Sequence, residues 1–290
     1  IEAVRAATAN ADPPVYLPSN TEPLTVFREY TMEDVRRVLL RSPPKTCMMD
    51  PLPTDVLLEM IDTILPFITT MCNKSLSEGS LPASQKAATI TPILKKAGLD
   101  ADEAKSYRPI SNLTFISKVI ERIVADQIKA FLSESSLMPQ LQSAYRPGHS
   151  TETATLKVLS DILDAADSQK TTLLSLLDMS AAFDTVDFEI LLRRLETSYG
   201  LSGTVLKWLT SFVTGRTQAV VFDGVTSSPV KLICGVPQGS VLGPLLFVLY
   251  AADVMTIANS HGVKIHAYAD DLQTYVSCNA VDQSAAVTQV

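Results

Sequence analysis

The sequence is poor in the residues that build metal centres and disulfide frameworks. Its 290 residues include four cysteines and three histidines, and neither type is clustered. No two cysteines form a Cys-x-x-Cys pair, so neither a zinc site nor a disulfide framework is indicated. Free thiols of this kind are typical of a reducing compartment, and we expect an intracellular protein.

Long apolar runs are also missing. The longest uninterrupted apolar segment, residues 241–252, already contains Gly243 and Pro244 and is followed by Asp253. A helix needs about 20 apolar residues to cross a bilayer, so we expect no membrane-spanning segment. The first residues neither include an initiator Met nor resemble a signal peptide, and we expect the chain to be part of a longer polypeptide.

Positive charge is scarce, which argues at first against a protein that binds nucleic acid. The formal net charge is −7, with 24 basic and 31 acidic side chains. The deficit is uneven, because residues 81–150 contain nine basic and six acidic side chains, whereas residues 151–290 contain eight and 14. The middle of the chain is thus net positive, and bound cations would offset part of the acidity that follows.

The composition that remains is typical of a globular protein. Hydrophobic residues make up 46% of the chain and charged residues 19%, which disfavours disorder. The length allows one large domain or two small ones with a sizeable core. Apolar spacing predicts helices over residues 31–40, 54–76, 116–131 and 150–166, and short β-rich segments predict strands over residues 86–94, 216–222 and 229–234.

Two adjacent carboxylates mark a short segment near the C-terminus, Tyr268–Asp271. An alternating stretch precedes them at residues 263–267, and an apolar run follows at residues 272–276. This pattern predicts a β-hairpin with an acidic tip. Asp is common in turns because its side chain bonds nearby backbone groups, so the pair alone would not indicate a function.

Two upstream segments make the acidic tip more informative. Residues 173–177 form an apolar run that ends in Asp178, which predicts a buried strand with a carboxylate at its C-terminal end. Residues 235–244 contain three glycines and two prolines and continue into the apolar segment 245–252. This composition predicts a shaped loop that leads into a buried helix, with Ser240 as its N-cap.

In this order, the strand-end Asp178, the glycine-rich loop and the Asp pair resemble the palm motifs of reverse transcriptases. The amino-acid sequences of these motifs are similar to those of the non-LTR (LINE-like) retrotransposon polymerases. Tyr107–Leu113 and Gln142–Thr151 resemble the two fingers motifs of that family. With segments that resemble the region before the fingers, at residues 50–53 and 86–96, the resemblance covers about residues 30–278. A small departure is Tyr-Ala-Ala-Asp at residues 250–253, where Ile-Asn before the Asp is more usual in the family.

The resemblance implies an α+β fold with the fingers and palm of a right-hand polymerase. A small antiparallel palm sheet backed by helices is expected, and we expect the thumb to lie outside this chain. The implied domains are a linker over residues 1–30, a helical N-terminal extension over 31–80, fingers over 81–170, and a truncated palm over 171–290 with an insert at 200–235. The family usually adds an endonuclease domain, and nothing in this chain resembles one.

The chemistry that the resemblance implies is attack of a primer 3′-hydroxyl on the α-phosphate of a nucleotide. Catalysis of such a step is mostly positioning and charge stabilisation. Two Mg²⁺ ions, or Mn²⁺ in their place, can activate the hydroxyl and hold the leaving pyrophosphate. Magnesium prefers hard oxygen ligands. We therefore expect Asp178 and Asp270 as bridging metal ligands and catalytic residues, with Asp271 in support.

Five further residues are predicted to bind the nucleotide. Phe183 resembles the family's bulky aromatic that excludes a 2′-hydroxyl, although a core Phe is the alternative. Gln238 and Gly239 lie in the loop that shapes the pocket, where glycine lets the backbone approach a ligand closely. Arg108 and Arg146 are candidates for the triphosphate because guanidinium binds phosphate bidentately, and ordinary surface arginines are the alternative.

Other polar residues have simpler interpretations. Asp184 and Asp187 precede a predicted helix over residues 190–195, where acids complement the helix dipole. His149 and His266 lack metal-ligand spacing and are interpreted as structural or solvent-facing. Three lysines either follow template phosphates or form a solvated charge run: Lys86, Lys95 and Lys96.

The sequence as a whole predicts an RNA-directed DNA polymerase of a non-LTR retrotransposon. Its partners would be an RNA template, a DNA primer and deoxynucleoside triphosphates, in the nucleus and in a cytoplasmic ribonucleoprotein. One alternative is a catalytically silent or domesticated remnant that acts at most as a nucleic-acid-binding module. Another is an RNA-templated RNA polymerase, which the bulky Phe183 disfavours.

Overall fold

The computed structural model describes residues 16–179, 181–283 and 286–287, in a mixed α/β fold. Its α-helices, numbered in chain order, are α1 (Met32–Arg41), α2 (Thr54–Glu59), α3 (Ile61–Glu78), α4 (Phe115–Glu134), α5 (Thr151–Asp167), α6 (Phe188–Thr197), α7 (Gly203–Val213), α8 (Gly243–Ala251) and α9 (Asp253–Ser260). Its strands are β1 (Ala87–Leu94), β2 (Tyr107–Asn112), β3 (Thr171–Asp178), β4 (Thr217–Phe222), β5 (Val225–Thr226), β6 (Val230–Lys231), β7 (Lys264–Tyr268) and β8 (Asp271–Cys278).

The chain divides into two compact units, and each is discontinuous in sequence. Unit 1 contains the chain up to Leu137 together with Phe183–Gly243, and unit 2 contains Met138–Ala182 and the chain from Pro244 onward. The sequence predicts the fingers (81–170) and the palm (171–290) as two continuous ranges. In the structure, residues of each range are divided between the two units. The insert predicted at residues 200–235 lies wholly in unit 1.

Unit 1 is built on a sheet with strand order β2-β1-β4-β5, and β6 also pairs with β4. The β1–β2 pair is antiparallel and the β1–β4 pair is parallel. The long helix α4 buries an apolar stripe that includes Val119, Ile123 and Ile128. Thr114 caps this helix, because its hydroxyl accepts the Ser117 backbone N–H at 3.1 Å.

The helical part of unit 1 is organised around Trp208 of α7. The indole ring is fully buried and stacks on Phe212 at 5.7 Å between ring centroids. Its N–H donates to the hydroxyl of Ser75 on α3 at 2.9 Å, so the polar atom of this buried ring is paired. This contact joins the helix α3 of the predicted N-terminal extension to α7.

Unit 2 contains a three-stranded antiparallel sheet with strand order β3-β8-β7. Strands β7 and β8 form a tight hairpin. On its inner face Ile265, Ala267 and Leu272 pack with Met255 of α9 in one apolar cluster. Helix α5 is joined to the sheet by the Tyr275 hydroxyl, which donates to the Asp161 carboxylate at 2.6 Å. The structure therefore contains the small antiparallel sheet that the sequence predicts at the Asp motifs.

Most predicted elements are present, and three differ. The strand that ends in Asp178 was predicted to be buried, but β3 is largely exposed, with Leu174, Leu176 and Leu177 at 46%, 71% and 46% exposure. The helix predicted over residues 54–76 is two helices, because Met60 departs from helical geometry between α2 and α3. The strand predicted over 229–234 is reduced to the two residues of β6, and the turn at Asp223–Gly224 connects β4 to the short β5 instead. The helix predicted from Ser150 is α5, and Ser150 forms its capping box.

The helical stretch Gly243–Ser260, which is α8 followed by α9, is longer than the sequence pattern indicated. Among the described residues it alone is long and apolar enough to cross a membrane by length and composition, with a mean hydropathy of 1.3 over 18 residues. The core helix of a soluble protein passes the same test, and Asp253 lies inside the stretch, where a charge would be costly in lipid. Length and composition alone do not make this segment a membrane span, so the expectation that the chain has no membrane-spanning segment stays an expectation.

Candidate active site

The antiparallel pairing of β3 with β8 places Asp178 directly opposite Asp271. Asp270 occupies the two-residue turn between β7 and β8, and its carbonyl accepts the Met179 backbone N–H at 3.4 Å. All three aspartates thus lie at one end of the sheet in unit 2. Side chains of directly opposed residues project from the same face of an antiparallel pair, so Asp178 and Asp271 share a face.

A buried amide holds the turn that carries Asp270. Ala269 has a φ of 57°, a conformation that residues with a Cβ adopt at a cost of about 1–3 kcal/mol. The Gln142 amide oxygen accepts the backbone N–H groups of Ala269 and Ala144 at 2.8 and 3.0 Å, and its nitrogen donates to the Ala269 carbonyl at 3.2 Å. Gln142 therefore satisfies the polar groups of the strained turn.

The segment after Gln142 is fixed to β7 as well. The Ser143 backbone N–H donates to the Ala267 carbonyl at 2.9 Å, and its hydroxyl lies 2.9 Å from Nε2 of His266. Burial, together with the positive charge of Lys157, lowers the pKa of the His266 imidazole, so the neutral ring is favoured. His266 is buried and structural, as the sequence predicts, and His149 is exposed.

The three aspartates are accessible to solvent to different degrees. Asp178 and Asp271 are exposed, and Asp270 is half-buried. In the described part of the chain, no group of three His, Cys, Asp or Glu side chains stands close enough together to hold a metal ion. The backbone thus brings the three residues to one strand end, and the ligand oxygens would have to converge by side-chain rotation.

Tyr145 lies beside this acidic end. It has a φ of 60°, and its side chain remains 47% exposed. Desolvation and then the negative charge of Asp270 raise the pKa of its hydroxyl. A bulky residue in the left-handed region is uncommon, and the only indication of it in the sequence is the Tyr-Arg-Pro-Gly turn.

One nitrogen of the Arg146 guanidinium is already bonded within the protein. Its Nη1 donates to the carbonyls of Pro139, Gln140 and Gln142 at 2.9, 3.4 and 3.4 Å. This end of the guanidinium supports the loop that leads to Gln142. Its prediction as a phosphate ligand remains a prediction.

The second group of predicted residues lies in unit 1, on the loop at Gly235–Gly243. Its first residues pair with the segment after Phe183, because the Val236 and Gly235 backbone N–H groups donate to the carbonyls of Phe183 and Val186 at 2.8 Å each. Gly235 has a φ of 83°, and a Cβ there would lie 2.9 Å from the Asp184 carbonyl oxygen. Only glycine fits this crossing of two backbones.

Gly239 is constrained in the same way by strand β2. Its φ is 117°, and a Cβ would lie 2.6 Å from the Ser111 carbonyl oxygen. The neighbouring Gln238 carbonyl accepts the Ser111 backbone N–H at 2.7 Å. The predicted need for glycine therefore has a structural cause here, which is the contact between the loop and β2.

The end of the loop is held by a buried acid, Glu121, that was not among the predicted site residues. Glu121 of α4 has 0% exposure, and its carboxylate accepts the backbone N–H groups of Val241 and Leu242 at 2.7 and 3.1 Å. Burial raises the pKa of this carboxyl, and the hydrogen bonds and the charge of Arg216 oppose the rise. Ser240 is not the N-cap that the sequence predicts, because α8 begins at Gly243 and Leu242 precedes it; the Ser240 hydroxyl nevertheless accepts the Gly243 N–H at 2.9 Å.

Asp184 does not start a helix, which corrects the sequence interpretation. Asp187 is the residue that caps α6, with its carboxylate accepting the Glu189 and Ile190 N–H groups. The Asp184 carboxylate instead accepts a hydrogen bond from Nε2 of Gln238 at 3.0 Å. Desolvation raises the pKa of the Asp184 carboxyl, and the bond from Gln238 offsets part of the rise.

Asp184 and Gln238 line a cavity of about 300 Å³ that lies entirely within unit 1. Its other walls come from β1, β2, β4, β6 and the start of the loop, including Ser111, Gln218 and Lys231. Phe183 is half-buried beside the loop, and Arg108 is exposed on β2. The structure thus places Phe183, Gln238 and Gly239 near one another in unit 1.

The supporting residues that sequence reasoning missed share one property. Gln142, Glu121 and Asp184 each act on a partner between 54 and 127 residues away. The one signal was an isolated Glu on the apolar face of a predicted helix, at position 121. A charge in such a place is seldom buried unless it is paired, and Glu121 is paired with backbone N–H groups.

With this geometry in place, the comparisons with known proteins define the class. Residues 93–289 match the family model described as reverse transcriptase (RNA-dependent DNA polymerase), which is more than half of the chain. The chain belongs to the reverse transcriptase family.

Its relatives are polymerases of LINE-like mobile elements. The chain is 29% identical, over 88% of its length, to the RNA-directed DNA polymerase from mobile element jockey of Drosophila melanogaster, and 30% identical, over 89%, to that of Drosophila funebris. It is 37% identical, over 65% of its length, to the probable RNA-directed DNA polymerase from transposon X-element of Drosophila melanogaster. The chain spans 28%, 29% and 20% of these relatives' own lengths.

Proposed function

We propose that this chain carries the fingers and palm of an RNA-directed DNA polymerase from a non-LTR retrotransposon, arranged as in a right-hand polymerase. The observation that carries the proposal is the β3–β8 register, in which Asp178 is opposite Asp271 and next to the turn at Asp270. Membership of the family and the named relatives support the same activity. The substrates would be a primed RNA template and deoxynucleoside triphosphates.

The donor set fits divalent cations of the Mg²⁺ or Mn²⁺ type, because all three residues offer hard carboxylate oxygens. Like charges directly opposite each other destabilise a strand pair, so Asp178 and Asp271 would be relieved by a cation between them. In this proposal Asp178 and Asp270 hold two ions and Asp271 supports them. When bound, such ions stabilise the charge on the attacking and leaving oxygens of an in-line displacement.

The five residues that the sequence predicts to bind the nucleotide would orient it. The Ser111 backbone N–H donates to the Gln238 carbonyl, and Glu121 holds the end of the same loop at Val241 and Leu242. Gln238 and Gly239 would form one wall of the nucleotide pocket. Phe183 would limit the space at the sugar, while Arg108, which is exposed, is free to approach a triphosphate. For Arg146 the proposal requires the guanidinium nitrogens that do not already bond the loop carbonyls.

The test uses the full-length element protein that contains this chain and primer extension on an RNA template. Asp270→Asn removes one charge and keeps the shape of the side chain, so extension should fall by about 10³-fold or more while primer–template binding and thermal stability stay near the parent values. The matched control is Asp223→Asn, since Asp223 is likewise an aspartate in the turn between two antiparallel strands. It should extend primers at the parent rate.

Two outcomes would contradict the proposal in different ways. If Asp270→Asn extends primers at the parent rate, Asp270 is not an essential metal ligand. A parent protein that binds primed RNA but extends nothing would support the alternative, a silent or domesticated remnant that only binds nucleic acid.

A further inference from the structure

The Gln238 side chain is an amide whose two ends differ chemically, one a donor and the other an acceptor. Its Nε2 donates to the Asp184 carboxylate at 3.0 Å. An ionised carboxylate only accepts hydrogen bonds, so it selects the nitrogen end of the amide. Among the residues that the structure describes, the Gln238 oxygen Oε1 has no hydrogen-bond donor, and Gln238 lines the 300 Å³ cavity.

We propose that Asp184 is a positioning residue, which fixes the orientation of the Gln238 amide so that its oxygen is presented to the bound nucleotide. The inference rests on the proposed function, since it concerns the nucleotide pocket of that activity. It goes further because it states which partner donates the hydrogen bond between Gln238 and the nucleotide. The group that Gln238 binds must be a hydrogen-bond donor, which in a nucleotide is a sugar hydroxyl or an N–H of the base.

The backbone around Asp184 makes it a rigid support. Its carbonyl oxygen accepts a weak hydrogen bond from the Cys234 thiol at 3.4 Å, and its main chain lies against Gly235, where any Cβ would clash. The residue before it, Phe183, accepts the Val236 N–H at 2.8 Å. Because both partners of the Asp184–Gln238 bond sit on backbones that are fixed to each other, the amide is oriented before a ligand binds.

Removal of the carboxylate should therefore affect binding of the nucleotide more than the chemical step. In Asp184→Ala the amide can rotate between two orientations, and one hydrogen bond is lost along with the preorganisation. We expect the KM for the incoming nucleotide to rise about tenfold, with kcat changed by less than about threefold. Asp184→Asn, which can still accept from Nε2 but no longer excludes the opposite orientation, should lie between the parent and Asp184→Ala.

The experiment is single-nucleotide extension by the full-length protein, with Asp184→Ala, Asp184→Asn, Gln238→Ala and the double variant Asp184→Ala/Gln238→Ala. If Asp184 acts through Gln238, its substitution should add nothing to Gln238→Ala. The matched control Glu189→Gln removes an exposed acid five residues later and should keep the parent KM. Dideoxynucleotides, which lack the 3′-hydroxyl, and a comparison of the four bases distinguish a sugar donor from a base donor.

A second measurement does not depend on activity. In ¹⁵N-labelled protein the side-chain NH₂ of Gln238 should exchange with water about tenfold faster in Asp184→Ala than in the parent. Unchanged exchange, additive effects in the double variant, or a loss of kcat at constant KM would each overturn the role of Asp184. A parent that extends no primer would instead count against the proposed function, and the amide exchange would still decide the orientation.

Discussion

At the scale of single residues, the loop at Gly235–Gly243 shows how a short motif depends on its surroundings. Gly235 and Gly239 are required because two other backbones approach them closely, at Asp184 and Ser111. Alanine at either position would combine a positive φ with a Cβ contact below 3.0 Å. The two glycines of the motif are therefore required by packing inside the protein. Gln238 is the side chain of the motif that remains available to contact a nucleotide.

Phe183 is the residue whose proposed role separates DNA synthesis from RNA synthesis. If its ring limits space at the sugar, Phe183→Val relieves about 1–3 kcal/mol of strain against a 2′-oxygen, which corresponds to roughly tenfold to a hundredfold better use of ribonucleotides. The measurement is the ratio of GTP to dGTP incorporation on an RNA template by the full-length protein.

Phe188→Val is the matched control, because Phe188 is also half-buried and lies five residues later on α6. It should leave the GTP to dGTP ratio unchanged. An unchanged ratio in Phe183→Val as well would mean that Phe183 only fills space in the core.

At the scale of elements, the hairpin β7–β8 is held by a residue outside it. The turn at Ala269 is strained and buried, and its backbone N–H and carbonyl both pair with the Gln142 amide. An unpaired buried polar group costs about 1–3 kcal/mol. Gln142 is therefore expected to set the local stability of the turn that positions Asp270.

Gln142→Leu should destabilise this hairpin without disrupting unit 1. We expect the hydrogen-exchange protection of the β7 and β8 amides to fall about tenfold to a hundredfold, because two backbone groups lose their partner. The neighbouring substitution Gln140→Leu, at an exposed position, should leave that protection intact. Equal protection in both variants would show that the turn is held by its own strands alone.

The elements also show what could be predicted from the sequence. Helical periodicity and capping predicted α1, α4 and α5, because these signals are local, and the strand-end aspartates were predicted for the same reason. The break at Met60 and the shortness of β5 and β6 were not predicted, since tertiary contacts determine them. The role of Asp184 was misread because an acid before a helix is usually a cap, and its true partner, Gln238, is 54 residues away.

At the scale of the whole molecule, charge is the property that most limits binding of nucleic acid. The chain carries a net charge of −7, and its excess of basic side chains is confined to residues 81–150. Within that region Lys95 and Lys96 are exposed at the end of β1. Affinity for a phosphate backbone comes mainly from such cations and from the counterions that they release.

The isolated 290-residue chain should therefore bind a primed RNA template weakly, with a Kd of about 10⁻⁵ M or weaker at about 0.15 M salt, and lose affinity steeply as salt rises. Each phosphate contact contributes about 0.7–0.9 to the slope of log K against log salt. Substituting both Lys95 and Lys96 by Gln should lower that slope by about 1–2.

Lys74→Gln is the matched control, because Lys74 is exposed but already pairs with Glu78, and its slope should equal the parent's. Tight binding that resists salt would mean that the affinity comes from base or shape contacts instead of phosphate charge. That result would favour the alternative of a nucleic-acid-binding module over a polymerase that binds its template through lysine and arginine side chains.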